Sequence, residues 1–364
     1  MLIPDYQTRI ANAQEVMRSR GVDALLVFSP DNLRYLTGYS GEAACGILAR
    51  HSLHLITDYR FVEQANAECV HSTVVCRDRE NTTLPEAIGA ALGDGKVSNV
   101  AVEAEYLSLD LFTKIQHHFQ RIVLIPSKGI VEGLRACKYE WEVAQIRQAA
   151  GIADQALEQL VGQIRLGVTE RDLARELEYL TRAMGADDVA FPIIVGFGEN
   201  SAKPHCVPGY RALKKRDFVL IDFGAMVNGY RSDMTRTFVV GAPSVQQLSM
   251  MGTVLRAQEA AIASTRAGVA GCQIDREARR VIERSAFAQY AGEGLGHGVG
   301  LKLHEYPFLG PRCEDILQSG FVVTIEPGVY IPGVGGVRYE DDVLVGDDSA
   351  SCLTHAPKFF QISV

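Results

Sequence analysis

Asp222-Phe-Gly-Ala-Met-Val-Asn-Gly-Tyr-Arg-Ser-Asp233 is the stretch of this 364-residue sequence that decides its fold. The dipeptide Asn228-Gly229 predicts a two-residue turn with positive φ at both positions, between a strand over 218–222 and a second strand over 230–240. In this register Asp222 lies opposite Thr235, and side-chain alternation puts Asp222 and Asp233 on one face, about 7–8 Å apart at the backbone. Facing carboxylates repel each other unless a cation lies between them. Taken alone, the hairpin also fits a solvated surface turn.

Further candidate ligands follow later in the chain. The glycine-rich segment 294–300 presents His297, and His304-Glu305 comes soon after it. Downstream, Glu326 and Glu340 each lie in a run of β-branched residues, and the glycine-rich segment 332–336 joins the two runs. Carboxylates are rarely buried unless they are paired or bind a metal. A set of hard oxygen donors with one imidazole suits a dinuclear site better than a thiolate-rich structural zinc site. That set is Asp222, Asp233, His297, Glu326 and Glu340.

Five motifs in this order resemble the pita-bread metallopeptidases, the superfamily of methionine aminopeptidase, aminopeptidase P and prolidase. They are Gly198-Glu-Asn-Ser-Ala-Lys-Pro-His205, Asp222-Phe-Gly through Ser232-Asp-Met-Thr-Arg-Thr237, Gly296-His-Gly-Val-Gly-Leu with His304-Glu305, Ile325-Glu-Pro-Gly-Val-Tyr330, and Arg338-Tyr-Glu-Asp-Asp-Val343. The resemblance implies that the five candidate ligands hold two divalent ions, with Asp233 and Glu340 bridging both. Mn²⁺ is the expected metal, with Co²⁺, Zn²⁺ or Fe²⁺ as alternatives.

The same resemblance implies roles for three catalytic residues. Glu326, beside the metal-bridging water, is expected to move its proton, and bound cations lower the pKa of such a water to about 7. His205 is expected to donate to the developing oxyanion, and His304 to contact the substrate. Arg338 is expected to hold a ligand carboxylate, because an unpaired arginine among β-branched residues would be costly.

The N-terminal third has a different pattern from the motif-bearing remainder. Short apolar strands alternate with helices there, which predicts a compact α/β domain with a mixed sheet. Tyr35-Leu-Thr-Gly-Tyr-Ser-Gly41 and Thr57-Asp-Tyr-Arg60 resemble the N-terminal domain of prolidases, aminopeptidase P and creatinase. We therefore expect an α/β (α+β) chain, in which a creatinase-like mixed-sheet domain over residues 1–127 precedes a pita-bread catalytic domain over residues 128–364.

Helical periodicity and a faint internal repeat organise the second domain. Apolar spacing predicts a long helix over 138–164, and Thr169 with Asp172 predicts the capped start of the next helix. The segment that begins at Gly167 is echoed by one that begins at Gly268. Each copy adjoins one carboxylate-bearing hairpin, so the sequence predicts two related halves around the candidate ligands.

The amino-acid composition and net charge argue against some classes of binding partner. A hydrophobic fraction of 47% with 22% charged residues is typical of a globular protein. A net charge of −8 argues against a nucleic-acid partner, which needs a basic face. The first residues lack a signal-peptide pattern, and no window approaches 18 uninterrupted apolar residues, so we expect a cytoplasmic protein without a membrane partner.

The added N-terminal domain points to the proline-handling branch of the superfamily. We expect a metallo-aminopeptidase that cleaves the bond between an N-terminal residue and a following proline in short peptides, through a metal-bridging hydroxide. The alternative is an Xaa-Pro dipeptidase (prolidase), and the motifs do not separate the two. A non-peptide hydrolase or lyase on the same fold is a weaker alternative, since creatinase lacks the ligand set. By the same resemblance we expect a homodimer.

Overall fold

The computed structural model describes residues 3–93, 97–358 and 361–363. The chain divides into two compact units, Met1–Arg135 and Ala136–Val364. Within the described residues no helix combines the length and apolar character needed to cross a membrane. The domain boundary expected after Ser127 stays a prediction.

The first unit contains one six-stranded mixed sheet, in the order β4-β3-β2-β1-β5-β6. Its strands are β1 (Ala24–Val27), β2 (Cys45–Ala49), β3 (Leu53–Thr57), β4 (Thr73–Cys76), β5 (Asn99–Glu103) and β6 (Val123–Ser127). The helices are α1 (Tyr6–Ser19), α2 (Pro30–Thr37), α3 (Val62–Glu68), α4 (Leu84–Leu92), α5 (Leu109–His118) and α6 (Glu132–Ala136). Pairs β1–β2 and β2–β3 are antiparallel and the other three are parallel, so the predicted mixed α/β domain is confirmed.

Local sequence explains these elements. All four residues of β1 are buried, as expected of a central strand covered on both faces. Helices α2, α4 and α5 begin after Ser29, Thr83 and Ser108, whose side chains accept a hydrogen bond from the first turn. Apolar side chains from the sheet and from α4 and α5, such as Leu26 and Ile88, form the core of this unit.

The second unit consists of two helix pairs, each followed by antiparallel strands. The helices are α7 (Glu140–Val161), α8 (Glu170–Ala183), α9 (Val245–Ser264) and α10 (Gly271–Glu283). The strands are β7 (Asp188–Val189), β8 (Ile194–Phe197), β9 (Phe218–Phe223), β10 (Ala225–Val227), β11 (Tyr230–Arg231), β12 (Met234–Val240), β13 (Gly296–Gly298), β14 (Glu305–Leu309), β15 (Val322–Ile325), β16 (Gly328–Ile331), β17 (Gly335–Arg338), β18 (Asp341–Val345), β19 (Ala350–Cys352) and β20 (Gln361–Ile362). Sheets of order β20-β12-β9-β8 and β14-β13-β15-β18-β19 are the largest in this unit.

Backbone contacts confirm the internal repeat. Gly167 and Gly268 both have positive φ, 86° and 83°, just before α8 and α10. The N–H of Gly167 donates to the carbonyl of Leu213, and the N–H of Gly268 donates to that of Leu317. In turn, the N–H of Leu213 donates to the carbonyl of Val168, and the N–H of Leu317 donates to that of Val269. The two halves therefore have the same backbone hydrogen bonds and the same positive-φ glycine at equivalent positions.

Helix α7 is shorter than the sequence predicted. It begins at Glu140 and ends at Val161, rather than covering 138–164. Lys138 lies outside the helix, where its N–H donates to the carbonyl of Gly320, and the extended Tyr139, with ψ of 159°, separates it from α7. Helix α8 starts as predicted, with the Thr169 side chain accepting from the N–H of Asp172.

Candidate metal centre

The first carboxylate hairpin has the predicted register. Asn228 and Gly229 have φ of 49° and 78°, and Val227 pairs with Tyr230. Asp222, on β9, lies opposite Thr235. The expected continuous strand over 230–240 is interrupted, however, at Ser232 and Asp233. The N–H of Asp233 donates to Oδ2 of Asp342 at 2.9 Å, a residue of the second half, so the hairpin opens at the candidate ligand.

In the second hairpin, Glu326 lies in the break between β15 and β16, and Glu340 lies in the break between β17 and β18. Ile325 pairs with Asp341, and Gly328 pairs with Arg338, so Glu326 and Glu340 lie opposite each other in the same register. Neither glutamate is inside a strand, contrary to the expectation from the β-branched runs. Their N–H groups donate elsewhere, that of Glu326 to Leu295 and that of Glu340 to Thr235.

His297 faces these carboxylates from β13. Its Nε2 lies 3.4 Å from Oε1 of Glu326 and 3.7 Å from Oδ2 of Asp233. Its Nδ1 lies 3.1 Å from the carbonyl of Gly298, which can only accept, so the Nδ1 of the neutral ring carries the proton. Burial lowers the pKa of His297 and favours this neutral form. The Nε2 lone pair is therefore available to a metal ion.

The structure brings the five candidate ligands to one cavity of about 440 Å³. Ligand atoms of Asp233, His297 and Glu340 lie within 4.8 Å of one another, and all three residues are buried. Asp222 and Glu326 line the same cavity. One carboxylate oxygen each of Asp222 and Asp233 is buried without a hydrogen-bond partner. Buried acceptors without donors are costly, so the donor set fits divalent cations.

Burial and mutual repulsion perturb the carboxyl groups of this cluster. The pKa of Asp233 is raised well above its ordinary value, first by burial and then by the charge of Glu340. Burial, followed by the charge of Glu326, likewise raises the pKa of Glu340. Burial is also the main cause that raises the pKa of Glu326 to about 7. These shifts arise where several like charges share a site that a cation would neutralise.

The two histidines expected to act without binding metal line the same cavity. The ring of His304 packs edge-on against His297, with centroids 4.3 Å apart. Desolvation, then the neighbouring His297 and His205, lower the pKa of His304 to about 4, so its ring is neutral at pH 7. A neutral ring supplies one N–H donor without adding charge. His205 is exposed to solvent at the cavity wall.

Arg338 holds a ligand carboxylate, as expected. Its Nη2 donates to Oδ2 of Asp222, its Nη1 to the hydroxyl of Tyr330 at 2.7 Å, and its Nε to Oγ1 of Thr235 at 2.9 Å. The hydroxyl of Thr235 in turn donates to Oε2 of Glu340. One buried guanidinium thereby orients ligands from both hairpins.

Several residues of this region were not predicted from the sequence. Asp342 accepts from the backbone of Asp233, and its other oxygen is buried without a partner. Burial raises the pKa of Asp342 well above its ordinary value. Phe191 and Phe308 line the cavity, and Phe308 is 50% exposed there. The consecutive acids Asp341-Asp342 were a usable signal for the first, whereas no local pattern marked the two phenylalanines.

Two family models match this chain over nearly its whole length. Residues 144–347 match the model of metallopeptidase family M24, and residues 9–137 match the creatinase/prolidase N-terminal domain. The chain belongs to metallopeptidase family M24. Membership of family M24 makes the protein a peptidase and implies that it binds divalent metal, which agrees with the buried Asp/His/Glu cluster.

Solved structures of similar proteins carry more specific names. An Xaa-Pro dipeptidase from Bacillus anthracis is 33% identical, with a TM-score of 0.94 over 99% of this chain and 100% of that one. A prolidase from Pyrococcus horikoshii is 31% identical, with a TM-score of 0.90 over 96% of this chain and 99% of that one. An X-Pro aminopeptidase from Thermotoga maritima is 34% identical, with a TM-score of 0.88 over 96% of this chain and 100% of that one.

Proposed function

We propose that this protein is an Xaa-Pro dipeptidase, which hydrolyses the amide bond between an N-terminal residue and a C-terminal proline. The observation that carries the proposal is the full-length likeness to the Bacillus anthracis Xaa-Pro dipeptidase, with the carboxylate and imidazole cluster at the base of a cavity. From the sequence we expected an aminopeptidase, with the dipeptidase as the alternative. The comparisons support the alternative better.

The proposed ligands are Asp222, Asp233, His297, Glu326 and Glu340, with Asp233 and Glu340 shared between two ions. Bound there, two divalent cations would supply a water of lowered pKa and would polarise the scissile carbonyl. The oxygens without partners on Asp222 and Asp233 support this assignment. Mn²⁺ remains the proposed metal, because carboxylate oxygens predominate in the set.

The residues of this chain can move the proton that hydrolysis requires. Glu326 lines the cavity with the other proposed ligands, so its carboxylate lies where it could accept a proton from a water held there. We propose that Glu326 accepts a proton from the attacking water and then transfers it to the departing proline nitrogen. His205 donates to the carbonyl oxygen as charge develops on it, and neutral His304 donates to the substrate peptide.

The cavity wall suits a proline ring. Apolar side chains surround the polar cluster, namely Phe191, Ile194, Leu303, Phe308 and Leu309. Proline has a fixed φ and no backbone N–H, so an apolar wall can recognise its ring without an acceptor for that group. This feature supports proline next to the scissile bond.

An Xaa-Pro aminopeptidase is the second candidate, because of the charges that line the cavity. The described lining residues include one arginine and no lysine, and that arginine, Arg338, donates through all three of its nitrogens. A dipeptidase is expected to hold the terminal carboxylate of its substrate with a cation. A peptide that continues beyond proline has no such carboxylate at this point.

Relative kcat/KM values for Ala-Pro, Ala-Pro-Ala, Ala-Pro-amide and Ala-Ala separate these functions. A dipeptidase should have a kcat/KM for Ala-Pro that is at least about 10-fold higher than for Ala-Pro-Ala or Ala-Pro-amide. This ratio corresponds to a difference of about 1.4 kcal/mol in free energy. Equal or faster cleavage of Ala-Pro-Ala would select the aminopeptidase instead. Cleavage of the dipeptide Ala-Ala at the same rate as Ala-Pro would contradict the role of proline.

Metal analysis of the purified protein tests the ligand set. We expect about two divalent ions per chain, and Glu340→Ala should lose both metal and turnover, because a shared carboxylate neutralises both ions. The matched control is Asp347→Ala, which removes an exposed carboxylate. A Glu340→Ala protein with full metal content and activity would refute the assignment.

A homodimer and a cytoplasmic location also remain proposals. The dimer rests on the family resemblance and on the prevalence of two-fold symmetric oligomers. Light scattering at micromolar concentration gives the mass that decides it.

A further inference from the structure

A buried ion pair lies at the base of the loop that carries His304. Nζ of Lys138 is 2.9 Å from Oε1 of Glu305, and the two side chains are 1% and 6% exposed. Glu305 directly follows His304 in the chain and begins β14. Lys138 is not among the residues that line the catalytic cavity.

Neighbouring groups restrict both partners of the pair. A Cβ on Gly300 would lie 2.5 Å from Oε1 of Glu305 and 3.2 Å from Cε of Lys138. The backbone N–H of Lys138 donates to the carbonyl of Gly320 at 2.9 Å. The ammonium group therefore reaches Glu305 from a fixed point of the backbone.

Stability alone does not account for this pair. Two charges removed from water recover their desolvation penalty only in part, and an apolar pair of similar size is often equally stable. The second oxygen of Glu305 accepts from the N–H of Lys302 at 3.3 Å, which closes the short segment over 302–305. That segment carries His304, whose ring packs edge-on against His297.

We infer that Lys138 is a positioning residue for His304, acting through the carboxylate of Glu305. The ammonium group fixes the Glu305 side chain, Glu305 fixes the backbone of residues 302–305, and that backbone holds the His304 ring in the cavity. The inference rests on the proposed function, since it assumes that the His304 ring assists hydrolysis. It adds a residue that does not touch the substrate.

The test uses Lys138→Met together with Glu305→Gln in the full-length, metal-loaded protein. Lys138→Met alone removes the cation that faces the buried carboxylate of Glu305 and can fail to fold. The double variant removes both charges and keeps an oxygen that can accept from Lys302. We expect kcat for Ala-Pro to fall by about 10- to 100-fold, the effect of a small displacement of a group at the reacting centre, with metal content unchanged.

An exposed pair of the same length is the matched control. Nζ of Lys128 is 2.9 Å from Oε1 of Glu105, with side chains 70% and 53% exposed. Lys128→Met with Glu105→Gln should leave kcat unchanged. A similar loss of activity in this control would show that removing any such pair slows the enzyme, and would overturn the inference.

His304→Ala separates a positioning role from a general structural one. If Lys138 acts through His304, the paired substitutions should slow His304→Ala by less than about 3-fold, because residues that act as one unit are not additive. An equal loss in both backgrounds would overturn the inference about Lys138 alone. A His304→Ala protein with the wild-type rate would instead overturn the proposed role of His304.

Histidine ring signals in an NMR spectrum of the Zn²⁺-loaded protein, in which the diamagnetic ion does not broaden nearby signals, give a readout that does not depend on turnover. The signal absent from His304→Ala identifies the His304 ring, whose chemical shift depends on its edge-on contact with His297. The paired substitutions should shift or broaden this signal. An unchanged His304 signal would overturn the inference even if the protein cleaves none of the peptides.

Discussion

At the scale of single residues, the carboxylates among the candidate ligands were chosen from the sequence because burying a charge is costly. A carboxylate within an apolar strand segment is costly unless something compensates its charge. Asp222 shows this pattern inside β9, whereas Asp233 and Glu340 lie in breaks between strands, and all three are buried around one cavity. Two hydrogen-bonded carboxylates were not predicted, those of Asp342 and Glu305. Their partners are about 109 and 167 positions away, and no local periodicity reports contacts at such separations.

His205 provides a test of one residue role. The His205→Ala variant should keep its metal, because His205 is outside the proposed ligand set, while kcat falls by about 10²–10³, the usual effect of losing one oxyanion donor. His117→Ala, at an exposed position of α5, is the control that should change neither quantity. Loss of metal from His205→Ala, without a separate effect on rate, would place His205 among the ligands instead.

At the scale of elements, both hairpins were predicted and their breaks were not. The Asn228-Gly229 turn sets the first register, and the prediction of Asp222 opposite Thr235 is confirmed. The breaks depend on bonds between the hairpins. Asp233 donates to Asp342, and Glu340 donates to Thr235, so each hairpin opens where the other supplies an acceptor. Such pairing depends on tertiary contact, which overrides the β preference of the local sequence.

Gly224 tests whether close approach of the strands sets the position of Asp233. A Cβ at Gly224 would lie 1.7 Å from the carbonyl oxygen of Ser232, a backbone atom that cannot rotate away. Gly224→Ala should therefore open the hairpin, reduce metal content and lower the melting temperature. Metal analysis and calorimetry of the variant measure these effects.

Gly151 supplies the matched control for the same substitution. It lies inside α7, and a Cβ there would meet no atom within 4 Å. Gly151→Ala should stabilise the helix by about 0.5–1 kcal/mol, a rise of about 1–4 °C in Tm for a unit of this size. Equal metal content and stability in both variants would show that the strands tolerate separation at Gly224.

At the scale of the whole molecule, composition and motif order were sufficient for the architecture. Alternating strands and helices predicted the first unit, and the repeated glycine-led segments predicted the two halves of the second. The choice between an Xaa-Pro dipeptidase and an Xaa-Pro aminopeptidase was not predictable in the same way. The cavity lining includes Phe191, between β7 and β8, and Phe308, on β14, which are far apart in the sequence.

The charge cluster predicts how stability should depend on pH once metal is removed. Asp233, Glu340 and Asp342 have raised pKa values in the folded protein, with burial as the first cause, and the pKa of Glu326 is raised to about 7. Near neutral pH the folded state therefore binds more protons than the unfolded state. Where that holds, the free energy of unfolding falls as pH rises.

The choice of pH window isolates this effect. His297 and His304 have lowered pKa values when folded, so they make stability rise with pH, an effect that fades as pH passes the ordinary histidine value of 6.5. Asp58, with a pKa lowered to about 2, contributes only in acid. Between pH 6.5 and 8 the raised carboxyl groups dominate, and the chelated protein should lose melting temperature as pH rises.

Metal should reverse the trend, because bound cations replace the protons and bind more tightly as the ligands ionise. The difference in Tm between Mn²⁺-loaded and EDTA-treated protein should therefore widen from pH 6.5 to 8. Calorimetry of both forms across this range measures it, and Glu340→Gln should flatten the slope of the chelated form by removing one ionisable group. A chelated protein whose Tm rises over the same interval would mean that these carboxyl groups are already charged in the fold, and that other groups neutralise them.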